Sequence, residues 1–222
     1  LACGCGRLFA VEKDSRICEI MGPIFKEKNI TLVHADILDA DLCSLAGGGE
    51  RIIVFGNIPY YISTPVIAKM IEQRECIEAL YIVIQEELAS RIVSPPGSKE
   101  YGSISCFIQF YTNPKKIFRI KRNSFYPRPK VDSCLLKLDM LREPSVSVMD
   151  EELMFKIIRK AFSERRKKII NPLSNKGFMS MDRSGWGEIF KSCGIDESNR
   201  AEALSLSDYA RLADAVSGLK DR

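Results

Sequence analysis

The sequence predicts an α/β fold, a mostly parallel sheet with an antiparallel edge, followed by a small all-helical domain. Three observations carry this. Short apolar runs at 8–11, 31–34, 51–55 and 80–84 alternate with helical patterns near 14–28, 64–74 and 86–93, the order of parallel strands joined by crossover helices. Two further runs, Lys116–Ile120 and Ser133–Leu138, flank a Pro-rich loop and read as an antiparallel pair closing the sheet edge. Beyond residue 149 the apolar residues recur only at helical spacing.

Taken in order, Gly4-Cys-Gly6 reads as the turn into strand 8–11 and not as a glycine-rich cofactor loop. Such a loop precedes its acidic partner by about 20 residues with a helix between, and Glu12 comes only six residues after Gly6. Gly47-Gly-Gly49 reads as a plain loop before strand 51–55. Residues 101–111 read as a helix. Residues 141–149, with Pro144 and alternating Ser and Val, read as a linker between domains at 1–141 and 148–222. In the second domain Leu153, Ile157, Ile158, Ala161, Phe162 and Ile169 form one apolar stripe. Shorter helices follow near 184–193 and 207–219, with Gly177 and Gly194 as breakers.

The strand ends carry the chemistry. Strand 51–55 runs into Gly56-Asn-Ile-Pro-Tyr-Tyr-Ile-Ser63, at the carboxyl end where open α/β sheets bind ligands. The Asn57 side-chain oxygen and the Ile58 carbonyl can accept the two hydrogens of an exocyclic amino group. Pro59 stiffens the turn, and Tyr60 offers a face for a base. Glu12 ends the first strand, where a carboxylate accepts ribose hydroxyls. Asp36 follows the second strand and could meet an adenine amino group. A single strand-end acid is commonly a helix cap or surface charge. Three polar groups ending three successive strands point instead to a nucleotide-like cofactor.

Composition narrows the class. An apolar content of 45% and a charged content of 28% fit a globular protein. No uninterrupted apolar run approaches a membrane span, and no signal-peptide pattern opens the chain. Eight scattered cysteines lack CxxC pairs, and His34 is the single histidine, which excludes a zinc constellation. Reduced, mostly buried thiols in a cytosolic protein are the expectation. Net charge is only +4, but seven basic residues and no acid fall between Lys115 and Lys130, and seven more against Glu164 alone between Lys156 and Lys168. With Phe118, Phe125 and Tyr126 interleaved in the first, these read as a nucleic-acid surface.

The chain resembles the bacterial-type small-subunit ribosomal RNA adenine N6-dimethyltransferases over essentially its whole length. The matching segments are Phe9–Asp14, Ala35–Leu38, Gly56–Ser63, Gln85–Arg91, Pro96–Gly102, Phe125–Ser133, Ala161–Lys168 and Arg200–Leu204. The first three are shared with many S-adenosylmethionine enzymes. Pro96–Gly102 and Arg165-Arg-Lys167 point to the small-subunit enzymes and away from their erythromycin-resistance relatives, which modify the large subunit. The resemblance implies a Rossmann-like S-adenosylmethionine-dependent methyltransferase sheet plus a helical RNA-binding domain. It implies S-adenosylmethionine held by Glu12, Lys13, Asp36, Ile37 and Asn57, and a target adenine held by Asn57, Ile58, Pro59 and Tyr60 with Phe125 as a second aromatic wall. It implies RNA contacts from Lys121, Arg122, Arg128, Lys130, Arg165, Arg166, Lys167 and Lys168. The product would be dimethyladenosine at two neighbouring adenines near the 3′ end of the RNA. The partner would be the immature small ribosomal subunit, met in the cytoplasm by a monomer with no membrane association. The family carries its glycine-rich cofactor loop and the strand before it upstream of Phe9–Asp14, where eight residues stand here; the resemblance therefore implies a longer natural chain, and two internal strand edges without a partner. A non-catalytic assembly factor using the same RNA surface, and a large-subunit methyltransferase, are the alternatives.

Overall fold

The computed structural model describes residues 4, 6–25, 29–47 and 49–220. It divides into two compact units, Leu1–Leu80 and Tyr81–Arg222, with the boundary inside a strand.

In the first unit β1 (Leu8–Glu12) leads into α1 (Ser15–Phe25), β2 (Ile30–His34), α2 (Leu42–Ala46), β3 (Ile52–Asn57), α3 (Ser63–Glu72) and the start of β4 (Ile77–Gln85). Aspartates set the helix starts. Asp14 Oδ1 accepts the Arg16 N–H at 2.8 Å, and Asp41 Oδ1 accepts the Ser44 N–H at 3.0 Å, each satisfying an amide with no helical partner. β1 and β2 pair in parallel from Leu8↔Ile30 to Glu12↔His34. Among the described residues β1 pairs with β2 alone, and β3 stands at the end of a second sheet ordered β3-β4-β6-β5. Val66, Ile67, Met70 and Ile71 of α3 are buried, as are Ile77, Ala79 and Leu80 of β4. By contrast α1 buries no residue, and Ile53 and Phe55 on β3 are exposed.

The second unit continues with α4 (Glu86–Val93), α5 (Ser103–Tyr111), β5 (Thr112–Ile120), β6 (Ser133–Met140), α6 (Glu151–Phe162), α7 (Ile170–Ser174), α8 (Arg183–Ser192) and α9 (Leu206–Lys220). β5 and β6 are antiparallel, from Thr112↔Met140 to Ile120↔Ser133, with a bulge between Lys116 and Phe118. β5 is the edge strand, which is why it tolerates Pro114 and the adjacent Lys115 and Lys116. Asp150 and Asp182 cap α6 and α8 through the Leu153 and Gly185 amides at 2.9 Å. Gly194, at φ +66°, ends α8, its N–H donating to the Lys191 carbonyl at 3.1 Å, the left-handed stop that glycine favours. Trp186, Tyr101, Tyr209, Phe110 and Phe190 are fully buried in this unit.

Elements thus fall close to the positions the periodicity predicts. Four details differ. The short helices α2 and α7 are too brief to show a period. The expected helix at 14–28 is seen to Phe25, and residues 26–28 lie outside the described residues. α6 stops at Phe162, so Ile169 is buried beyond the helix, and Arg165–Lys168 lie in a turn closed by the Lys167 N–H on the Glu164 carbonyl at 2.8 Å. Finally, the expectation of reduced thiols is corrected: Cys43 and Cys76 are joined in a disulfide. The fold sets α2 beside the residue that precedes β4, a proximity that scattered spacing cannot reveal. Cys106 and Cys134 are buried thiols and Cys18 and Cys193 half-buried ones, while Cys3 and Cys5 lie outside the described residues. Desolvation pushes the Cys106 thiol up to about 12. Among the described residues no helix is long and apolar enough to cross a membrane.

Candidate active site and nucleic-acid surface

The parallel register sets Glu12 opposite His34, so Glu12 and Asp36 finish the same edge of the β1–β2 pair. The Glu12 carbonyl accepts the Ala35 N–H at 3.0 Å, which ties the two strand ends together. Its carboxylate Oε1 accepts the Asp14 N–H at 2.8 Å, leaving Oε2 for a ligand. Asp36 is more occupied. Lys13 Nζ donates to Oδ2 at 2.7 Å and the Leu38 N–H to Oδ1 at 3.0 Å. These two donors, Lys13 first, hold the Asp36 carboxyl below the usual aspartate range. In return Asp36 raises the Lys13 ammonium, with smaller contributions from Tyr61 and Asp39. The Lys13 side chain is 76% exposed, and breaking so exposed a pair costs little. Ile37, half-buried, lies between Asp36 and Leu38.

β3 ends at Asn57, and the chain turns through Ile58 and Pro59 into a single tight turn at Tyr60–Ile62. Backbone donors there are consumed locally: the Ile62 N–H reaches the Pro59 carbonyl at 3.1 Å and the Ser63 N–H the Tyr60 carbonyl. The Asn57 side chain is exposed, and among the described residues it makes no hydrogen bond. Tyr60 is half-buried and Tyr61 exposed. Ser63 is buried, with its hydroxyl unpartnered among the described residues. The exposed Asn57 amide at the end of β3 and the open Glu12 carboxylate oxygen at the end of β1 are each able to hydrogen-bond a ligand, whereas the Ser63 hydroxyl is enclosed in the fold.

The remaining predicted residues lie in the second unit. The Arg119 fork grips Asp132 Oδ2 through Nε at 2.9 Å and Nη2 at 2.6 Å, and the Arg122 N–H takes Oδ1 at 3.0 Å. Arg122 Nη1 reaches the Lys130 carbonyl at 3.3 Å, and the Glu86 N–H reaches the Asp132 carbonyl at 3.0 Å. Glu86 itself pairs with Lys116. These bonds fix both ends of the loop 121–132. Phe125 within it is half-buried, and Tyr126 is fully exposed. Lys121, Arg122 and Arg128, with Arg119, Asn123 and Asp132, line an open pocket of about 250 Å³. Lys130 is exposed beside them. In the other basic stretch Arg166, Lys167 and Lys168 are exposed. Arg165 is not available in the same way: it binds Glu202 Oε2 at 3.0 Å, the Tyr101 carbonyl at 2.9 Å and the Lys99 carbonyl. The Glu202 carbonyl in turn accepts the Gly97 N–H at 2.7 Å. Thus three segments far apart in sequence, 96–102, 161–168 and 200–204, meet around one guanidinium.

Comparison with known proteins identifies the family. The sequence pattern of the family described as ribosomal RNA adenine dimethylase matches residues 3–217. The chain belongs to the ribosomal RNA adenine dimethylase family. Among its relatives, a ribosomal RNA small subunit methyltransferase A of Clostridium botulinum is 38% identical over 210 residues, covering 94% of this chain and 75% of that protein. The protein of the same name from Pelotomaculum thermopropionicum is 34% identical over 220 residues, covering 95% and 74%. Two solved structures share the fold. A dimethyladenosine transferase from Plasmodium falciparum superposes with a TM-score of 0.75 at 19% identity, covering 93% of this chain and 80% of that one. The 23S rRNA methyltransferase ErmE gives 0.67 at 20% identity, covering 95% and 82%. The fold is the Rossmann-like methyltransferase fold, the chain is an adenine dimethyltransferase of ribosomal RNA, and S-adenosylmethionine is its methyl donor.

Proposed function

We propose that this chain transfers methyl groups to N6 of two adjacent adenines near the 3′ end of small-subunit ribosomal RNA, acting on immature subunits in the cytoplasm. Its working parts divide at 1–141, the methyltransferase sheet, and 148–222, the helical RNA-binding part, a reading supported by the break in regular structure after Met140. The observation that carries the site assignment is the exposed, internally unpartnered Asn57 amide at the end of β3, next to Pro59 and Tyr60.

S-adenosylmethionine, when bound, supplies an electrophilic methyl group on a sulfonium. Glu12 Oε2 would hold a ribose hydroxyl, Asp36 and Ile37 would hold the cofactor adenine, and Lys13 would give up its bond to Asp36. The Asn57 Oδ1 and the Ile58 carbonyl accept the two N–H hydrogens of the target adenine. That arrangement draws the nitrogen lone pair out of conjugation with the ring and aims it at the methyl group. Alignment does more here than a strong base, because the donor is already reactive. The target leaves its stack to enter the site, and stacking on Tyr60 offsets this at about 1–3 kcal/mol. Lys121, Arg122, Arg128, Lys130, Arg166, Lys167 and Lys168 meet phosphates, while Arg165 positions the loop at 96–102.

A non-catalytic assembly factor has no need of a free amide at Asn57, and the large-subunit alternative is disfavoured by the Arg165-centred junction of segments that carry the small-subunit resemblance. The test is Asn57→Ala assayed on small subunits that lack the modification, with dimethyladenosine counted by mass spectrometry. Turnover should fall by about 100-fold with RNA affinity nearly unchanged. Equal losses in turnover and affinity would count against the assignment.

A further inference from the structure

We propose that the loop 121–132 forms a subsite for one unpaired nucleotide, its phosphate held by Lys121 and Arg128 and its base stacked on Tyr126. This rests on the reading of the chain as an RNA-modifying enzyme and adds to it a nucleotide distinct from the methylated adenine.

The pocket sorts its own charges. Asp132 would repel a phosphate, but both of its oxygens already accept hydrogen bonds, Oδ2 from the Arg119 fork and Oδ1 from the Arg122 N–H. Arg119 is engaged by that pairing, and Arg122 is partly engaged by the Lys130 carbonyl. Lys121 and Arg128 line the same pocket of about 250 Å³, and among the described residues neither side chain makes a hydrogen bond or ion pair. Asn123 adds an amide at the wall. The pocket therefore presents two uncommitted cations on a frame whose other charges are internally satisfied, a fit for one phosphodiester group. Tyr126, in the same loop, is fully exposed. A tyrosine with no contact to the protein gives up apolar surface to water with no return inside the fold. An exposed aromatic face on the same short loop that lines a cationic pocket is the pairing used to hold single strands, whereas bases in a duplex have no free face to offer.

The experiment uses the whole chain and a short fluorescein-labelled single-stranded oligoribonucleotide, with binding followed by anisotropy across a salt series. Lys121→Ala/Arg128→Ala should weaken binding and reduce the slope of log K against log salt by about 0.7 for each phosphate that is no longer neutralised. Tyr126→Ala should weaken binding about tenfold with the slope unchanged, Tyr126→Phe should bind as the unaltered chain does, and a duplex of the same sequence should not register the Tyr126 change. All three residues are exposed, and matching melting curves confirm that each variant folds. Unchanged affinity and slope in the double variant would overturn the subsite, as would equal competition by oligoglutamate, which would make the loop a patch for acidic partners. Methylation of small subunits, assayed separately, distinguishes the two readings. Dimethyladenosine formed by an unaltered chain whose variants bind RNA normally removes the subsite alone; RNA binding that depends on Lys121, Arg128 and Tyr126 without any dimethyladenosine removes the enzymatic reading alone.

Discussion

Two loops, one in each unit, are pinned by a single side chain reaching in from elsewhere, and the pins differ in kind. In the first unit the segment after Asp36 is held by Gln73, whose Nε2 donates to the Ala40 carbonyl at 3.0 Å while its Oε1 accepts the Leu42 N–H at 2.7 Å. The Cys43–Cys76 disulfide reinforces it. In the second unit the loop 96–102 is held by Arg165, which only donates, to two carbonyls and a carboxylate. An amide satisfies a donor and an acceptor together and brings no charge. That suits a segment already crowded with Asp36, Asp39 and Asp41. A guanidinium suits a loop that presents carbonyls, provided Glu202 balances it. Members of a basic stretch that look equivalent in sequence thus divide into those that build the fold and those left for a partner.

The largest expected effect lies in the first unit. The disulfide closes a loop of sequence separation 33 that contains the Asn57 turn. Its removal by Cys43→Ser should lower stability by about 2–4 kcal/mol, read from urea midpoints with and without a reductant. The unaltered chain should lose stability on reduction and the variant should not respond. Alkylation of both thiols in native, unreduced protein would break the comparison, because the amide pin would then act alone. Next comes Arg165→Ala, which strands two carbonyls and Glu202. The expected loss is about 1–3 kcal/mol, and Arg165→Lys should recover little of it, since an ammonium cannot fork across three acceptors. Its neighbour Arg166 supplies the contrast. Arg166→Ala should leave the melting curve unmoved and reduce the salt slope of RNA binding by about 0.7.

How much of this was legible in the sequence depends on range. Glu12, Asp36 and Asn57 could be placed because each ends an apolar run, and strand ends are local facts. The edge pair β5–β6 was visible because two strand-like runs directly flank one Pro-rich loop. Gln73, Arg165 and the Cys43–Cys76 bond were not visible. Each acts across tens of residues, and nothing in the local pattern around them differs from an ordinary polar or apolar surface. Lys13 on Asp36 is half legible: strand-end position marks both acids and the adjoining lysine as ligand contacts, but the bond from Lys13 across to Asp36 depends on the pairing of two strands. The end of α6 was misjudged for a related reason. Ile169 continues the helical spacing by coincidence and is buried through the turn that follows.

The smallest effect sharpens the distinction between framing and free charges most directly, at Asp132. Its carboxyl is held below the usual aspartate range, first by the Arg122 N–H and then by the Arg119 side chain. A pKa lowered on folding means that the contribution is fully present above the unfolded aspartate value of about 3.9 and is lost as pH falls through the lower folded value. The Asp132 side-chain carbonyl carbon, followed by NMR, should therefore titrate below that value. Arg119→Ala should move the midpoint upward only part of the way, because the larger cause is a backbone donor that the substitution leaves in place. A midpoint restored fully to the ordinary value would mean that the Arg122 N–H depends on Arg119 for its position, so that the frame of the pocket is one cooperative unit; no movement at all would mean that Arg119, like Lys121 and Arg128, belongs with the charges free for RNA.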